Sequence, residues 1–216
     1  MTPLPLSAPA TLRNRHPIAE VLKRYLPSQA RVLEVASGTG EHALFLAEAV
    51  AAKDWWPTDI DPAALASIEA WRQTQDAQAM RDIVHPPQRF DVMAADAAES
   101  DVARNLPPLD AVVCINMIHI APWAATEGLM ATAARLLRKG GILYTYGPYR
   151  RDDRHTAPSN EAFDESLRQR NPAWGIRDLE AVIGVAAHYD LVIDTVVAMP
   201  ANNFSVVFRS TERPDP

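Results

Sequence analysis

The chain has 216 residues, 48% of them hydrophobic, 22% charged and 7% aromatic, a globular composition that excludes a fibrous or wholly disordered protein. Its net charge of −6, from 21 basic and 27 acidic residues, argues against a protein built to grip a nucleic-acid backbone. A single cysteine, Cys114, excludes an internal disulfide framework and fits a reducing cytoplasm.

Residues 1–12 read as a loose N-terminal arm. The stretch MTPLPLSAPA has three prolines, no basic cluster and no continuous apolar run, so neither a helix nor a leader is expected there. A helix is expected over 18–25, a strand over 31–35, a helix over 41–51 and a strand over 54–58. The next helix is expected over 62–76, where Pro62 suits a first turn because its missing N–H would be unpaired anyway. Strands over 89–92, 111–115 and 142–146 follow, with a helix over 123–137 between the last two. Residues 111–115 are apolar on both alternating faces, so both sides of that strand are expected to be covered. A helix over 178–188 precedes strands over 191–198 and 204–209, whose short Met-Pro-Ala-Asn-Asn connection allows an antiparallel pair but no helical crossover. The pattern is α/β: a mostly parallel sheet with helices on both faces, in one domain over 13–209, with 210–216 as a loose tail. No run approaches the roughly 18 apolar residues of a membrane span, so no membrane partner and a cytoplasmic location are expected. Monomer and homodimer both remain open.

The most informative stretch is Arg31-Val-Leu-Glu-Val-Ala-Ser-Gly-Thr-Gly-Glu-His-Ala43, an apolar strand running through Gly38 and Gly40 into a helix. Glycines there let backbone approach a ligand closely. Asp59 follows 19 residues beyond Gly40, at the end of the next strand, where a carboxylate can accept from both hydroxyls of a ribose. Together they describe an adenosine pocket. The spacing Gly38-x-Gly40-x-x-Ala43 also satisfies the dinucleotide fingerprint, so spacing leaves NAD and S-adenosylmethionine open. Charge separates them. Glu34 and Glu41 would face a diphosphate with like charge, costing several kcal/mol at an effective dielectric of about 20. A buried Glu34 needs a partner, and the ammonium of S-adenosylmethionine is a good one; Glu41 reads first as an acid complementing the helix dipole.

From Arg13 to Arg209 the chain resembles the family of class I methyltransferase-like proteins that includes methyltransferase-like protein 26. The resemblance is carried by Arg13-Asn14-Arg15, Pro17-Ile18, Leu33-Glu-Val-Ala-Ser-Gly-Thr-Gly40, Pro57-Thr-Asp59, Asp91-Val92 and Cys114-Ile-Asn-Met-Ile-His119. It continues in Tyr146-Gly-Pro-Tyr149, Ser159-Asn160, Phe163-Asp164, Trp174-Gly-Ile-Arg177 and Met199-Pro-Ala-Asn-Asn203. Glu41, Trp56 and Thr58 depart from the pattern, standing where Gln, Gln and Ser are expected. The resemblance implies a Rossmann-like class I methyltransferase fold, a seven-stranded sheet with its last strand antiparallel, and S-adenosylmethionine as cofactor. By the same resemblance Glu34 faces the donor's amino group, Gly38 and Gly40 pass under its methionine part, and Ala36, Ser37 and His42 complete that wall. Asp59 takes the ribose, Ile60 lies against adenine, and Asp91, with Val92, meets the adenine amino group, Asp96 being a rival. Asn116 and Met117 stand where donor and acceptor meet.

Methyl transfer from a sulfonium is an in-line displacement, so holding the reactants in line is the enzyme's main task. A base is needed only for an acceptor that carries a proton. His119 is the candidate base, its ordinary pKa suiting proton removal, and the alternative is a histidine that shapes its loop through backbone hydrogen bonds. Asn116 and Tyr149 complete the expected catalytic set. Tyr149, Arg150, His155 and Asn160 follow the fifth strand on the ligand side, and arginines clamp carboxylates or phosphates, so a small anionic acceptor is one expectation. The other is that Arg150, Arg151 and Arg154 pair with Asp152 and Asp153 on a solvated loop. Asn202 and Asn203 read as turn formers or acceptor contacts, and Arg15 as part of a lid or merely of a helix. The histidines show no ligand spacing, so no metal site is expected.

The expected function is methyl transfer to a small molecule. Nucleic acid is disfavoured as substrate because Asn116 is followed by Met-Ile-His and not by Pro-Pro-aromatic. A non-catalytic donor-binding regulator is the alternative, and an NAD(P)-dependent reductase a further one, although no Tyr-x-x-x-Lys pair is present.

Overall fold

The computed structural model describes residues 4–75 and 77–211. Its first elements are α1 (Pro9–Tyr25), β1 (Arg31–Val35), α2 (Glu41–Ala49), β2 (Asp54–Asp59), α3 (Pro62–Arg72), β3 (Gln88–Arg89), α4 (Asp101–Arg104) and β4 (Leu109–Ile115). Then come α5 (Trp123–Leu136), β5 (Leu137–Gly147), the small hairpin of β6 (Arg150–Arg151) and β7 (Arg154–His155), α6 (Pro158–Arg170), α7 (Leu179–Ala187), β8 (Leu191–Met199) and β9 (Asn203–Ser210). Seven strands form one sheet in the order β3-β2-β1-β4-β5-β9-β8. Only β9 runs against its neighbours, as the short connection before it requires. This is the expected mostly parallel sheet with its last strand reversed.

The alternation of β4 builds two apolar layers. Val112 and Cys114 pack with Leu129 and Met130 of α5 and with Val182 of α7, while Ala111, Val113 and Ile115 pack with Ile18 and Leu22 of α1 and Leu46 of α2. With both faces covered, the strand order reverses between β1 and β4, and that reversal leaves a crevice outside their carboxyl ends. No helix among the described residues is long and apolar enough to cross a membrane.

Several boundaries differ from expectation, each for a physical reason. The helix expected over 18–25 begins at Pro9, because that proline occupies the first turn, and Thr11, Asn14, Ile18 and Leu22 make one buried stripe. Pro17 sits inside it, tolerated by packing. The N-terminal arm is thus helical from residue 9 and hydrogen-bonded at Leu6, not loose; residues 1–3 and 212–216 lie outside the described residues. The helix expected over 62–76 ends at Arg72, and Asp76 is likewise outside the described residues. The unexpected helix α6 is polar nearly all round, with only Asn160, Asp164 and Leu167 buried, so it has no apolar stripe to betray it.

Candidate functional site

A cavity of about 430 Å³ opens at the carboxyl ends of β1, β2 and β4. The turn from β1 to α2 is left-handed at Ala36 (φ 56°), Gly38 (φ 58°) and Gly40 (φ 86°). It is lashed to β2: the Ser37 N–H donates to the Thr58 carbonyl at 2.8 Å, and the Thr58 hydroxyl donates to the Glu34 carbonyl at 2.8 Å. Gly40 serves packing, since a Cβ there would lie 2.7 Å from the Ile68 backbone of α3. It does not itself line the cavity. Every other residue expected to hold the cofactor lines this one cavity: Glu34, Ala36, Ser37, Gly38, His42, Asp59, Ile60, Asp91, Val92, Asn116 and Met117.

Asp59 is oriented by two backbone donors, Gly38 N–H to Oδ2 at 2.8 Å and Asp61 N–H to Oδ1 at 2.9 Å. Each oxygen keeps a lone pair for a further donor. Glu34 is 1% exposed, and its Oε2 accepts the Trp55 indole N–H at 2.9 Å. Burial pushes its carboxyl up to about 7, against the pull of that indole, with the Asp59 charge adding to the rise. His42 is buried with Nε2 against Asn14 Oδ1 at 2.8 Å; burial first, then the Arg15 charge, brings it down to about 4, so it is neutral. Asp91 caps its own turn by accepting the Met93 N–H at 2.9 Å, and it lines the cavity where Asp96 does not. Asn116 leaves β4 in the left-handed region at φ 60°, a strain that concentrates at functional positions.

The expected acceptor residues are placed differently. Tyr149 is fully buried in the α5 layer with its hydroxyl on Thr145 Oγ1 at 2.7 Å, so it reaches no acceptor. His119 is 3% exposed and does not line the cavity. It packs against Phe163 and sits behind Gly147, where a Cβ would be 3.0 Å from its ring and 3.8 Å from Asn116 Oδ1. Burial, then Arg177 and Arg170, bring it down to about 4. Its ring thus packs against Gly147, and its Nδ1 is buried without a hydrogen-bond partner. Arg150 pairs with Asp153 at 3.3 Å and Arg151 with Glu180 at 2.9 Å, while His155 faces Asp164 at 3.5 Å. Asn160 donates to Thr156 and to the Asn202 carbonyl, Asn202 donates to Ser159, and Asn203 closes its own turn on Pro200. Arg15 turns away from the cavity, onto Glu41 at 3.5 Å and over the Phe45 ring. None of these residues lines the cavity.

Other residues that shape the site escaped the sequence reading. Ala8, Ala10 and Thr11 line the cavity from α1 and its approach. Gly128 of α5 lies so close to the 91–93 turn that a Cβ would be 2.0 Å from the Val92 carbonyl oxygen. A glycine within a helix, costing about 1 kcal/mol against alanine, was the available signal. Arg177 joins two loops by donating to the carbonyls of Ile118, Ala121 and Ala173.

A family model described as "Protein of unknown function (DUF938)" matches residues 6–210. Among solved structures, an O-methyltransferase family protein from Burkholderia thailandensis superposes with a TM-score of 0.75 at 16% identity, over 94% of this chain and 58% of that one. The apo form of the S-adenosylmethionine-dependent methyltransferase SibL gives 0.72 at 19% identity, over 94% and 56%. Human N-acetylserotonin methyltransferase, solved with S-adenosylmethionine, gives 0.70 at 12% identity, over 94% and 53%. The chain thus spans little more than half the length of these proteins, and at such identities the likeness is one of fold: a Rossmann-like class I methyltransferase fold.

Proposed function

The chain belongs to the DUF938 family, and on that footing we propose that it is an S-adenosylmethionine-dependent methyltransferase acting on a small molecule. One observation carries this reading: three carboxylates, Glu34, Asp59 and Asp91, line the cavity, and no lysine or arginine does among the described residues. A diphosphate there would meet like charge without a cation to offset it. A cationic nucleoside meets what it needs.

The residues present fit that cofactor. Glu34 is a desolvated carboxylate at the cavity wall, which an ammonium would neutralise. Asp59 is held by Gly38 and Asp61 with lone pairs left for ribose hydroxyls, and Ile60 and Val92 offer apolar wall to a base whose amino group Asp91 would meet. When bound, the cofactor supplies a sulfonium-activated methyl group. The protein's share is to exclude water and hold the acceptor in line, with Asn116 as the polar group at the end of β4. His119, packed against Gly147, acts as a positioning residue in this reading.

A second reading, a cofactor-binding regulator without transferase activity, is favoured by the engagement of Tyr149, Arg150, Asn160 and Asn202 with protein partners. Calorimetry with S-adenosylmethionine, S-adenosylhomocysteine and NADH tests the cofactor, with binding expected for the first two. Tight NADH binding overturns the proposal. Mass-spectrometric screening of metabolite pools for a gain of one methyl group then separates enzyme from regulator.

A further inference from the structure

The chain reaches the cavity wall at the start of α1: Ala8, Ala10 and Thr11 line it together with Gly38 and Thr39 of the glycine turn. This segment is fastened at Leu6. Its N–H donates to Ser67 Oγ at 2.9 Å, and its carbonyl accepts the Trp71 indole N–H at 2.7 Å. The Ser67 hydroxyl in turn donates to the Thr39 carbonyl at 2.8 Å. Ser67 is 1% exposed, so one buried hydroxyl on α3 joins the segment at the cavity wall to the glycine turn.

Thr11 is buried in α1, but toward Leu6 the segment is lightly held among the described residues. Its N-cap, Ala8, makes no side-chain cap, and the first turn of α1 carries no acid to meet the helix dipole. Leu4 and Leu6 are 81% and 52% exposed, so they bury little apolar surface. Opening therefore breaks two hydrogen bonds at Leu6 and frees Ser67 from the strap while leaving α3 intact.

We propose that residues 4–11 form a strap over the cofactor cavity, and that Ser67 is the positioning residue coupling the strap to the glycine turn, so that cofactor exchange passes through release of Leu6. The inference rests on the cofactor reading above. A cofactor seated against Thr39 and Gly38 steadies the turn, the turn orients Ser67, and Ser67 holds the strap shut. Trp71 is the second fastening, acting on the strap alone.

The test uses the full chain with S-adenosylhomocysteine as probe, comparing wild type with Ser67→Ala and Trp71→Phe by stopped-flow fluorescence. Both variants should bind and release the probe roughly three- to tenfold faster, the factor expected for losing one or two hydrogen bonds, with Kd moving far less than either rate. Unchanged rates in variants that unfold at the wild-type temperature overturn the strap. So does faster release without faster binding, which would make Ser67 a support of the bound state only. Should a variant fail to fold, hydrogen exchange on the wild-type chain decides: protection of residues 6–11 should rise when the probe is bound, and unaltered protection overturns the coupling. Calorimetric silence of the wild type toward the probe marks failure of the cofactor reading instead.

Discussion

At the carboxyl ends of β1 and β2, Glu34 and Asp59 present carboxylates to a common cavity, joined by Asp91. Beyond β5, in residues 148–178 and 199–203, polar side chains pair with one another, Arg150 with Asp153, His155 with Asp164 and Asn160 with the 202 carbonyl, while Arg150 Nε and His155 Nδ1 are buried without a hydrogen-bond partner. Both regions are rich in charge, and the carboxylates of the first line the cavity while the charged groups of the second do not. The second reads as a wall, pinned by Arg177 to the loop after β4. Carboxylates that line a pocket with lone pairs to spare point to a ligand, whereas charge paired within the wall gives rigidity.

The sharpest way to break this contrast is Glu34→Gln. Cofactor affinity should fall by about 2–4 kcal/mol, the scale of a buried ion pair losing one charge, read by calorimetry. The variant should nonetheless be more stable than wild type at pH 8, because a desolvated carboxylate is gone; a loss of stability there would mean that the glutamate is structurally satisfied. Asp59→Asn should cost about 1.5–3 kcal/mol in cofactor binding through lost charge-assisted hydrogen bonds. Gly128→Ala should destabilise the fold by about 1–3 kcal/mol in denaturant titrations and weaken cofactor binding by moving the 91–93 turn.

Titration sharpens the comparison further. His42 and His119 sit near 4 in the folded chain against 6.5 when free, so the unfolded chain binds their protons first and stability falls as pH drops from 6.5 toward 4. Glu34 works the other way, since its folded value near 7 exceeds 4.5 and stability falls as pH rises between the two. Two histidines outweigh one glutamate. Net stability should therefore drop on acidification below 6.5, and the pair His42→Asn with His119→Asn should abolish or reverse that drop in pH-dependent denaturation. Smallest of all, Arg150→Ala and Arg151→Ala should change stability by about 0.2–1 kcal/mol, as exposed pairs do, and leave cofactor affinity unaltered. A large loss of affinity there would return these arginines to the ligand side.

The cofactor half was legible in the sequence because its chemistry is local. A strand, two glycines and an acid at the end of the next strand fix the backbone that meets the ligand, and of the residues this pattern names Glu34, Gly38 and Asp59 line one cavity, together with eight more that the family resemblance implied. Gly40 stands apart because its close contact, Ile68, lies 28 positions away. The acceptor half was poorly legible for a related cause. Whether Tyr149 points to a ligand or to Thr145, or Arg150 to an anion or to Asp153, depends on side-chain direction, which residue type does not encode. Helix α6 hid behind its polar composition, and the start of α1 behind Pro9, which reads as a breaker but serves in a first turn.

Glu34 has one more consequence. A carboxyl that keeps its proton close to neutrality must surrender it when a cation comes to rest beside it, so loading the cavity near pH 7 would expel a proton into the medium. The heat of association would then vary with the buffer that captures it, larger or smaller according to that buffer's own enthalpy of ionisation, and the slope of that dependence would count the protons set free.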